Sequence, residues 1–275
     1  MIDLHCHSYY SDGALSPEDL LAKAIQADIH VLALTDHDTT EGLQALHLAA
    51  RGKSIQIIDG IELSVRWKKF DIHILGLNIQ PDDIGLCDLI VRQNEHRISR
   101  AQLIGDRLKV CGVENAYGKA CERAGHQRVG RAHYAALLLE EGLVHDMQSA
   151  FKRFLGRGQV AYVASTWVDM VEAVTTIVQA KGQAVIAHPL KYGLTRTKLL
   201  ELIKTFIGAG GVGMEVVSGN MSMIQIKELA GLCCRYQLLA STGSDYHGDA
   251  LSHTKLGRQG PLPINCTPIW QPWNM

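Results

Sequence analysis

The sequence lacks the features that mark secreted and membrane-spanning proteins. Its seven cysteines are an odd number at unmatched spacings, with no C-x-x-C pair, which is typical of reduced thiols in a cytosolic protein. The first residues form neither the basic segment nor the apolar segment of a signal peptide. No apolar run approaches the ~20 residues that cross a bilayer. We therefore expect a cytoplasmic protein that does not interact with a membrane.

An excess of either charge is also missing, because 27 Lys+Arg stand against 28 Asp+Glu for a formal net charge of -1. This balance excludes a protein that is basic throughout, such as a coat protein for nucleic acid. We find no internal repeat and no low-complexity tract. With 47% apolar and 20% charged residues, the 275-residue chain has globular composition and enough length to bury a core. What stands out is histidine, with 13 copies.

Short β-type runs alternate with helical patterns in the first and last parts of the chain. The predicted strands lie at 2–5, 31–35, 55–58, 61–65, 72–79, 184–187, 213–217 and 238–241. Strand–helix repetition of this kind predicts an α/β fold with parallel strands and crossover helices. About seven such units favour a closed or nearly closed barrel over an open sheet.

The sequence pattern changes between residues 81 and 165, where helical patterns predominate and strand-like runs are nearly absent. From Arg92 to Arg131, nine Lys+Arg are opposed by only four Asp+Glu. Most such side chains belong to solvated helix faces, but the neutral total nevertheless hides a basic segment. We therefore expect a barrel formed by residues 1–80 and 166–275, and a mainly helical, basic insertion of residues 81–165 that covers the active site.

Histidines and carboxylates gather at the ends of the predicted strands. His5 and His7 follow the first strand, and their spacing of two puts both on one face of an extended chain. Later strands are followed by, or contain, Asp36, His37, Asp38, Glu62, His73, His188, Asp245 and His247. Singly, each has an ordinary explanation as a turn, a helix cap or a hydrogen-bonded residue. Together they favour a multinuclear metal centre, because imidazole and carboxylate sets suit Zn²⁺, Mn²⁺ or Fe²⁺.

These residues resemble the PHP (polymerase and histidinol phosphatase) family of phosphoesterases. The motifs are Asp3-Leu4-His5-Cys6-His7-Ser8, Leu34-Thr35-Asp36-His37-Asp38, Ile186-Ala187-His188-Pro189 and Gly243-Ser244-Asp245-Tyr246-His247. The resemblance implies a distorted (β/α)7, TIM-like barrel. It also implies nine metal ligands, at His5, His7, Asp12, His37, Glu62, His73, His188, Asp245 and His247. All nine positions carry residue types that bind divalent metals.

The same resemblance implies three divalent ions per chain, with manganese favoured over iron or zinc. The first ion would be bound by His5, His7, Glu62 and Asp245, the second by Glu62, His73 and His188, and the third by Asp12, His37 and His247. Such a pocket is strongly positive and suits a phosphoryl group. A metal-bound hydroxide, held by the first set of ligands, would then attack phosphorus in line, without a Cys or Ser nucleophile.

Within the family, the chain is similar to the subgroup of 3′,5′-nucleoside bisphosphate phosphatases and ribonuclease AM, a 5′-to-3′ exoribonuclease of short RNA. The likeness lies in Arg131-Ala132-His133-Tyr134 and in the runs 67–77 and 152–162. It implies that the substrate is a 3′,5′-bisphosphate or short RNA. Arg131 and His133, at a predicted helix start where backbone N–H groups favour anions, then become candidates to bind the second phosphate. Lys191 is a further candidate, although Leu190 and Lys191 replace the Gly-Arg that is common there.

Three other functions stay open at this point. A histidinol-phosphate or other small-metabolite phosphatase would not need the basic segment. A non-catalytic metal-binding or interaction domain would not need all nine ligand types. An amidohydrolase usually has a bridging carboxylated lysine, whereas Glu62 holds that position here. No protein partner can be inferred from the sequence.

Overall fold

The computed structural model describes residues 1–252 and 254–273, so His253, to which the sequence assigns no role, lies outside the described residues. The chain forms two compact units. One, here called the barrel unit, comprises Met1–Ile90 and Val168–Met275, and the other, the helical unit, comprises Val91–Trp167. The division between Ile90 and Val91 falls later than the predicted boundary at residue 81. One continuous helix, Ile84–Lys109, contributes residues to both units.

The barrel unit contains the sheet. Its strands are β1 (Ile2–Asp3), β2 (Val31–Leu34), β3 (Gln56–Trp67), β4 (Phe70–Leu77), β5 (Gln183–Ile186), β6 (Gly213–Ser218) and β7 (Leu239–Gly243). They are hydrogen-bonded in chain order. The two ends of the sheet also meet, because Leu4 N–H donates to Thr242 O at 3.1 Å and Cys6 forms a bridge with Tyr246. The nearly closed barrel confirms the predicted fold class.

One strand departs from the parallel arrangement that the strand–helix repetition predicts. β4 is antiparallel to both of its neighbours, β3 and β5. The two residues Lys68 and Lys69 separate the paired Trp67 and Phe70, and Lys68 has φ 52°, so β3 and β4 form a tight hairpin without a crossover helix. Because β4 is reversed, it begins at the end of the barrel where the parallel strands finish, and His73 lies there.

The described helices are α1 (Pro17–Gln26), α2 (Gly42–Ala50), α3 (Ile84–Lys109), α4 (Ala116–Ala124), α5 (Arg131–Glu140), α6 (Met147–Ala150), α7 (Met170–Gln179), α8 (Arg196–Gly208) and α9 (Met223–Tyr236). A side-chain hydrogen bond marks the start of α1. Ser16 Oγ accepts from the Asp19 N–H at 3.0 Å and caps α1. Within the described residues, no helix is both long and apolar enough to cross a membrane.

Alternation along the strands divides the core of the barrel unit into two sides. Leu75 and Leu77 of β4 pack with Leu4 and Val185 on one side, together with Ile269. Residues of opposite parity on the same strands, such as Ile72, Ile74 and Ile186, pack in the core that also contains α7, α8 and α9. Successive strand residues therefore face the barrel interior and the helices in turn.

The helical unit has a core of its own. Ile104 and Leu108 of α3 pack with Leu138 of α5, and the Tyr134 hydroxyl donates to Ala101 O at 2.6 Å. α4 ends at Ala124, and Gly125 directly after it has φ 73°, a conformation that glycine adopts without strain. The helical patterns that predominate in this part of the sequence are thus helices whose apolar faces pack within the unit.

Candidate metal centre

The first group of site residues follows β1. His5 and His7 are completely buried, and the Nε2 atom of each lies 3.2 Å from Glu62 Oε2 and 3.4 Å from Asp245 Oδ1. Glu62 comes from the middle of β3, whereas Asp245 follows β7. Two imidazole nitrogens and two carboxylate oxygens from three strands therefore point at one position.

Glu62 is the centre of the whole arrangement. Its Oε1 atom lies 2.9 Å from both His73 Nδ1 and His188 Nε2, and its Oε2 atom lies 3.2 Å from His37 Nδ1. With the two histidines after β1, five imidazoles contact one fully buried carboxylate. His73 arrives from the reversed strand β4, and His188 follows β5 directly.

A third group surrounds Asp12, which lies in the turn after His7. Asp12 Oδ1 is 3.3 Å from His247 Nε2, 3.8 Å from His37 Nε2 and 3.9 Å from His7 Nδ1. The turn is braced by Asp36, which accepts hydrogen bonds from both Ser8 and Ser11 at 2.6 Å. Asp36 thus positions the segment that holds two of the candidate ligands.

The structure brings all nine predicted metal ligands into this one cluster. Three subsets have ligand atoms close enough together to share an ion: His7, Asp12, His37 and His247; His5, His7, Glu62 and Asp245; and His37, Glu62 and His73. The second subset has the composition predicted for the first ion. The other two differ in that His7 joins the set around Asp12, and His37 takes the place predicted for His188 beside Glu62 and His73.

The hydrogen-bonding state of the cluster fits divalent metals. Among the described residues, several buried atoms have no hydrogen-bond partner: His5 Nε2, His7 Nδ1 and Nε2, Asp12 Oδ1, His37 Nδ1, Glu62 Oε2 and His188 Nδ1. Buried polar atoms normally have partners. Two ligands that each lie about 2.1 Å from one ion are roughly 3.0–3.4 Å apart. The separations of 3.2 and 3.4 Å around His5 and His7 match that spacing.

Burial and neighbouring carboxylates act in opposite directions on the histidine pKa values. At His5, burial lowers the pKa, but Glu215 and the other nearby carboxylates outweigh it and raise the pKa well above the usual 6.5. The same competition raises the pKa of His7 to about 10. At His37, burial prevails and lowers the pKa to about 3. In the metal-free protein, neighbouring imidazoles thus differ in protonation at neutral pH.

The carboxylates of the cluster are held in the ionised form that metal binding needs. Burial raises the pKa of Asp12, Glu62 and Asp245, yet the surrounding histidines lower each of these pKa values well below its usual value. The cluster therefore presents three negative charges near neutral pH. Imidazole nitrogens and ionised carboxylates together form a ligand set for Mn²⁺, Fe²⁺ or Zn²⁺.

The three predicted phosphate-binding residues lie in different units. The Lys191 ammonium forms an ion pair with Asp245 Oδ2. Burial lowers the pKa of Lys191, but the negative charges around it, that of Asp245 first, outweigh burial and raise this pKa above its usual value. This places a cation directly beside the candidate metal ligands. Arg131 and His133 lie in the helical unit at the start of α5, where His133 Nδ1 accepts from the Gly130 N–H at 3.0 Å. Their predicted contact with a second phosphate stays a prediction.

Sequence reasoning missed two residues that support the cluster. Glu215 of β6 is completely buried and contacts His5. Its sequence signal is an acid inside the apolar run of a buried strand. The Tyr192 hydroxyl accepts from the His73 N–H at 2.9 Å and donates to Ala187 O at 2.8 Å, which ties β4 to the segment after β5. Nothing in the sequence around Tyr192 points to that role.

The model of the PHP domain family matches residues 3–217. That span includes the first seven of the nine candidate ligands, from His5 to His188. The chain therefore belongs to the PHP domain family, which confirms the resemblance drawn from its motifs.

Two curated relatives are similar over nearly their full lengths. A 3′,5′-nucleoside bisphosphate phosphatase of Chromobacterium violaceum is 38% identical over 271 residues, covering 98% of this chain and 95% of the relative. A 5′-3′ exoribonuclease of Haemophilus influenzae is 40% identical over 269 residues, covering 98% and 97%. Both are phosphoester hydrolases by name, which confirms the predicted class of enzyme.

A solved structure shares the fold as a whole. The protein, from Chromobacterium violaceum, is described as an amidohydrolase with bound sulfate and without metal. Its TM-score is 0.93 at 38% identity, with coverage of 98% of this chain and 94% of that one. The fold of this chain is thus shared with that structure along nearly its whole length.

Proposed function

We propose that this protein is a metal-dependent phosphoesterase that hydrolyses the 5′-phosphate ester of 3′,5′-nucleoside bisphosphates or the 5′-terminal linkage of short RNA. The observation that carries the proposal is the convergence, at ligand-to-ligand spacing around the buried Glu62, of imidazole and carboxylate atoms that have no hydrogen-bond partner among residues 1–252 and 254–273. The names of the two curated relatives support the choice of substrate.

The residues of the cluster would hold divalent ions, with manganese favoured, and three ions are proposed for the nine ligands. Ions bound there supply Lewis-acid chemistry, because they lower the pKa of water and offset the charge of a phosphoryl group. The chain itself contributes three ionised carboxylates, Asp12, Glu62 and Asp245, which fix where positive charge accumulates. The attacking water would be activated next to His5, His7, Glu62 and Asp245.

Cationic side chains would bind the phosphates of the substrate. Lys191 is paired with Asp245, and its side chain is 56% exposed, so the ammonium can also reach a phosphoryl oxygen that approaches the cluster. We assign the second phosphate to Arg131 and His133, on the strength of the motif that contains them. A lone phosphomonoester such as histidinol phosphate offers no second phosphate for these residues.

The test is a substrate comparison with the purified chain. Metal-free protein is loaded with Mn²⁺, and phosphate release is measured from adenosine 3′,5′-bisphosphate, histidinol phosphate and an aryl phosphate. Shortening of 5′-labelled oligoribonucleotides is followed in parallel. We expect turnover of the bisphosphate, removal of nucleotides from the RNA 5′ end, and slow hydrolysis of the other two. Fast hydrolysis of histidinol phosphate without turnover of the bisphosphate or RNA would overturn the proposed substrate.

A further inference from the structure

Glu215 is a buried acid that the proposed reaction does not use directly. It lies in β6 between Met214 and Val216, both of which pack in the core on the helix side of the sheet. Alternation therefore turns Glu215 to the opposite face, into the barrel. Its side chain is 0% exposed. A carboxylate at such a position is costly to bury unless partners satisfy both of its oxygens.

Each carboxylate oxygen of Glu215 contacts a different candidate metal ligand. Oε1 lies 2.9 Å from His5 Nδ1, and Oε2 accepts from the His188 backbone N–H at 2.6 Å. His5 and His188 reach Glu62 from different strands, one through Oε2 and the other through Oε1. Glu215 thus contacts two candidate ligands that approach Glu62 from different strands.

The contact with His5 determines which ring nitrogen is available to a metal. An ionised carboxylate has only acceptors, so His5 Nδ1 must donate the hydrogen bond. The neutral ring then has its lone pair on Nε2, the atom that faces Glu62 and Asp245 and has no hydrogen-bond partner among the described residues. Acids that orient ligand imidazoles in this way raise metal affinity in other proteins.

The contact with His188 holds an unusual backbone. His188 has φ 25° and ψ 60°, in the left-handed region that non-glycine residues rarely adopt. This turn directs the ring back to Glu62 at the end of β5. The hydrogen bond from the His188 N–H to Glu215 is short, and it anchors the turn at its first atom. β6 also has a register shift between Glu215 and Val217, a feature that re-aims side chains.

We propose that Glu215 is a positioning residue that prepares two ligands of the metal centre at once, His5 through its tautomer and His188 through its backbone. The proposal rests on the metal centre proposed above, and not on the identity of the substrate. Glu215 itself touches neither substrate nor metal in this account. Its effect is therefore measured as metal affinity, in the absence of any substrate.

Two substitutions separate the two contacts. In Glu215→Gln, the amide oxygen can still accept from the His188 N–H, but the amide nitrogen then faces His5 Nδ1 and donates to it. His5 must carry its proton on Nε2 and can no longer bind a metal there. In Glu215→Ala, both contacts are lost. The matched control is Ser241→Ala, because Ser241 of β7 is in register with Glu215 of the neighbouring strand β6 and is equally buried.

The experiment is a calorimetric titration of metal-free protein with Mn²⁺. We expect Glu215→Gln to weaken one site by about 10- to 100-fold and to leave the others near wild type. Glu215→Ala is expected to weaken two sites, and Ser241→Ala to change none by more than about twofold. Unchanged affinity at every site in Glu215→Gln would overturn the proposal, whatever substrate the enzyme hydrolyses.

A measurement on the wild-type chain keeps the proposal testable if the variants fail to fold. In the Zn²⁺-loaded protein with ¹⁵N-labelled histidine, the nitrogen shifts of His5 report which ring nitrogen carries the proton. We expect a protonated Nδ1 and a metal-bound Nε2. A protonated Nε2, or a His5 ring whose shifts do not change on metal loading, would contradict the role of Glu215.

Discussion

In the barrel unit, the buried carboxylate of Glu62 contacts five histidines, whereas in the helical unit charges meet in pairs at the surface. Lys119 and Glu141 lie 2.5 Å apart with side chains 41% and 36% exposed, and Arg123 pairs with Glu140 nearby. Both regions are rich in charge. They differ in burial and in the number of groups that share one position.

This difference separates charges that indicate function from charges that do not. Exposed pairs contribute roughly 0–1 kcal/mol and tolerate change. Buried ionised groups cost several kcal/mol each unless close partners compensate them. In the part of the chain that the structure describes, the cluster combines buried ionised groups with atoms that lack hydrogen-bond partners, and bound metal ions would supply those partners. The nine basic residues of 92–131 are therefore weaker evidence for substrate than the cluster is for a metal centre.

The largest expected effect is that of Glu62→Ala. All three sets of ligands depend on Glu62 directly or through a shared histidine, so its loss should remove bound metal and abolish measurable phosphoester hydrolysis. Metal content by mass spectrometry and phosphate release check this result. The control is Asp59→Ala, for which we expect near wild-type activity. Asp59 lies in the same strand as Glu62, but its carboxylate pairs with His47. Retained metal in Glu62→Ala would disprove the ligand assignment.

The second prediction concerns protons released when metal binds. In the metal-free protein, carboxylates raise the pKa of His7 to about 10 and that of His5 well above 6.5, so both rings are protonated at pH 7. A metal must displace these protons. Calorimetry of Mn²⁺ binding in buffers of different ionisation enthalpy should report release of about two protons per chain at pH 7. Binding without proton release would show that the two histidines do not serve as ligands.

The same pKa shifts predict how the stability of the metal-free protein depends on pH. His7 has a folded-state pKa of about 10 against 6.5 when unperturbed, so its contribution is complete below about pH 6.5 and declines as the pH rises. For His7 alone, the free energy of unfolding should fall by about 1 kcal/mol per pH unit between pH 6.5 and 8.5, and the raised pKa of His5 adds to this decline in the same direction. Urea unfolding at several pH values measures it. His7→Gln should make this decline shallower by the share of His7, and an unchanged slope in the variant would contradict the raised pKa of His7.

A smaller effect distinguishes the cations of the two units. Arg131→Ala should raise KM for adenosine 3′,5′-bisphosphate about tenfold, the size expected for a lost charged hydrogen bond, and should leave KM for an aryl phosphate unchanged. Lys191→Ala should raise both values, because Lys191 lies beside Asp245 at the cluster. Lys119→Ala is the matched control in the helical unit. Equal effects of Arg131→Ala on the two substrates would remove its assignment to the second phosphate.

The smallest effect belongs to the surface pairs of the helical unit. A double-mutant cycle on Lys119 and Glu141 should give a coupling of about 0.5 kcal/mol in the free energy of unfolding, because solvent screens both groups. Urea unfolding of the two single variants and the double variant provides the number. A coupling above about 2 kcal/mol would mean that charge in this unit contributes as strongly as a buried network.

Much of the fold could be predicted because local patterns agree with the packing. The cap at Ser16 and the helical period after it determine where α1 begins, and the buried run at Val31 determines β2. The reversal of β4 could not be predicted from the same patterns. A run of alternating apolar residues has no direction, and the turn at Lys68 and Lys69 lacks the glycine or asparagine that usually marks a two-residue hairpin.

The clustering of the candidate metal ligands could be predicted for a related reason. Histidine and carboxylate at strand ends are unusual in sequence, and parallel strands bring their carboxyl ends together. The supporting residues were harder to find, because their roles depend on distant partners. Glu215 contacts His5 across 210 positions of the chain, and Tyr192 contacts His73 across 119. One sequence without its fold contains no information on such pairs.

The metal stoichiometry of the whole chain is the sharpest test of the proposed metal centre. Metal-free protein is dialysed against excess Mn²⁺, freed of unbound metal, and analysed by mass spectrometry together with Glu62→Ala. We expect about three Mn²⁺ per wild-type chain, with hydrolysis of adenosine 3′,5′-bisphosphate that rises with metal occupancy. In Glu62→Ala we expect almost no bound Mn²⁺ and almost no hydrolysis. A wild-type chain that binds no Mn²⁺, Fe²⁺ or Zn²⁺, or that hydrolyses the bisphosphate equally well without metal, would contradict the proposed metal centre.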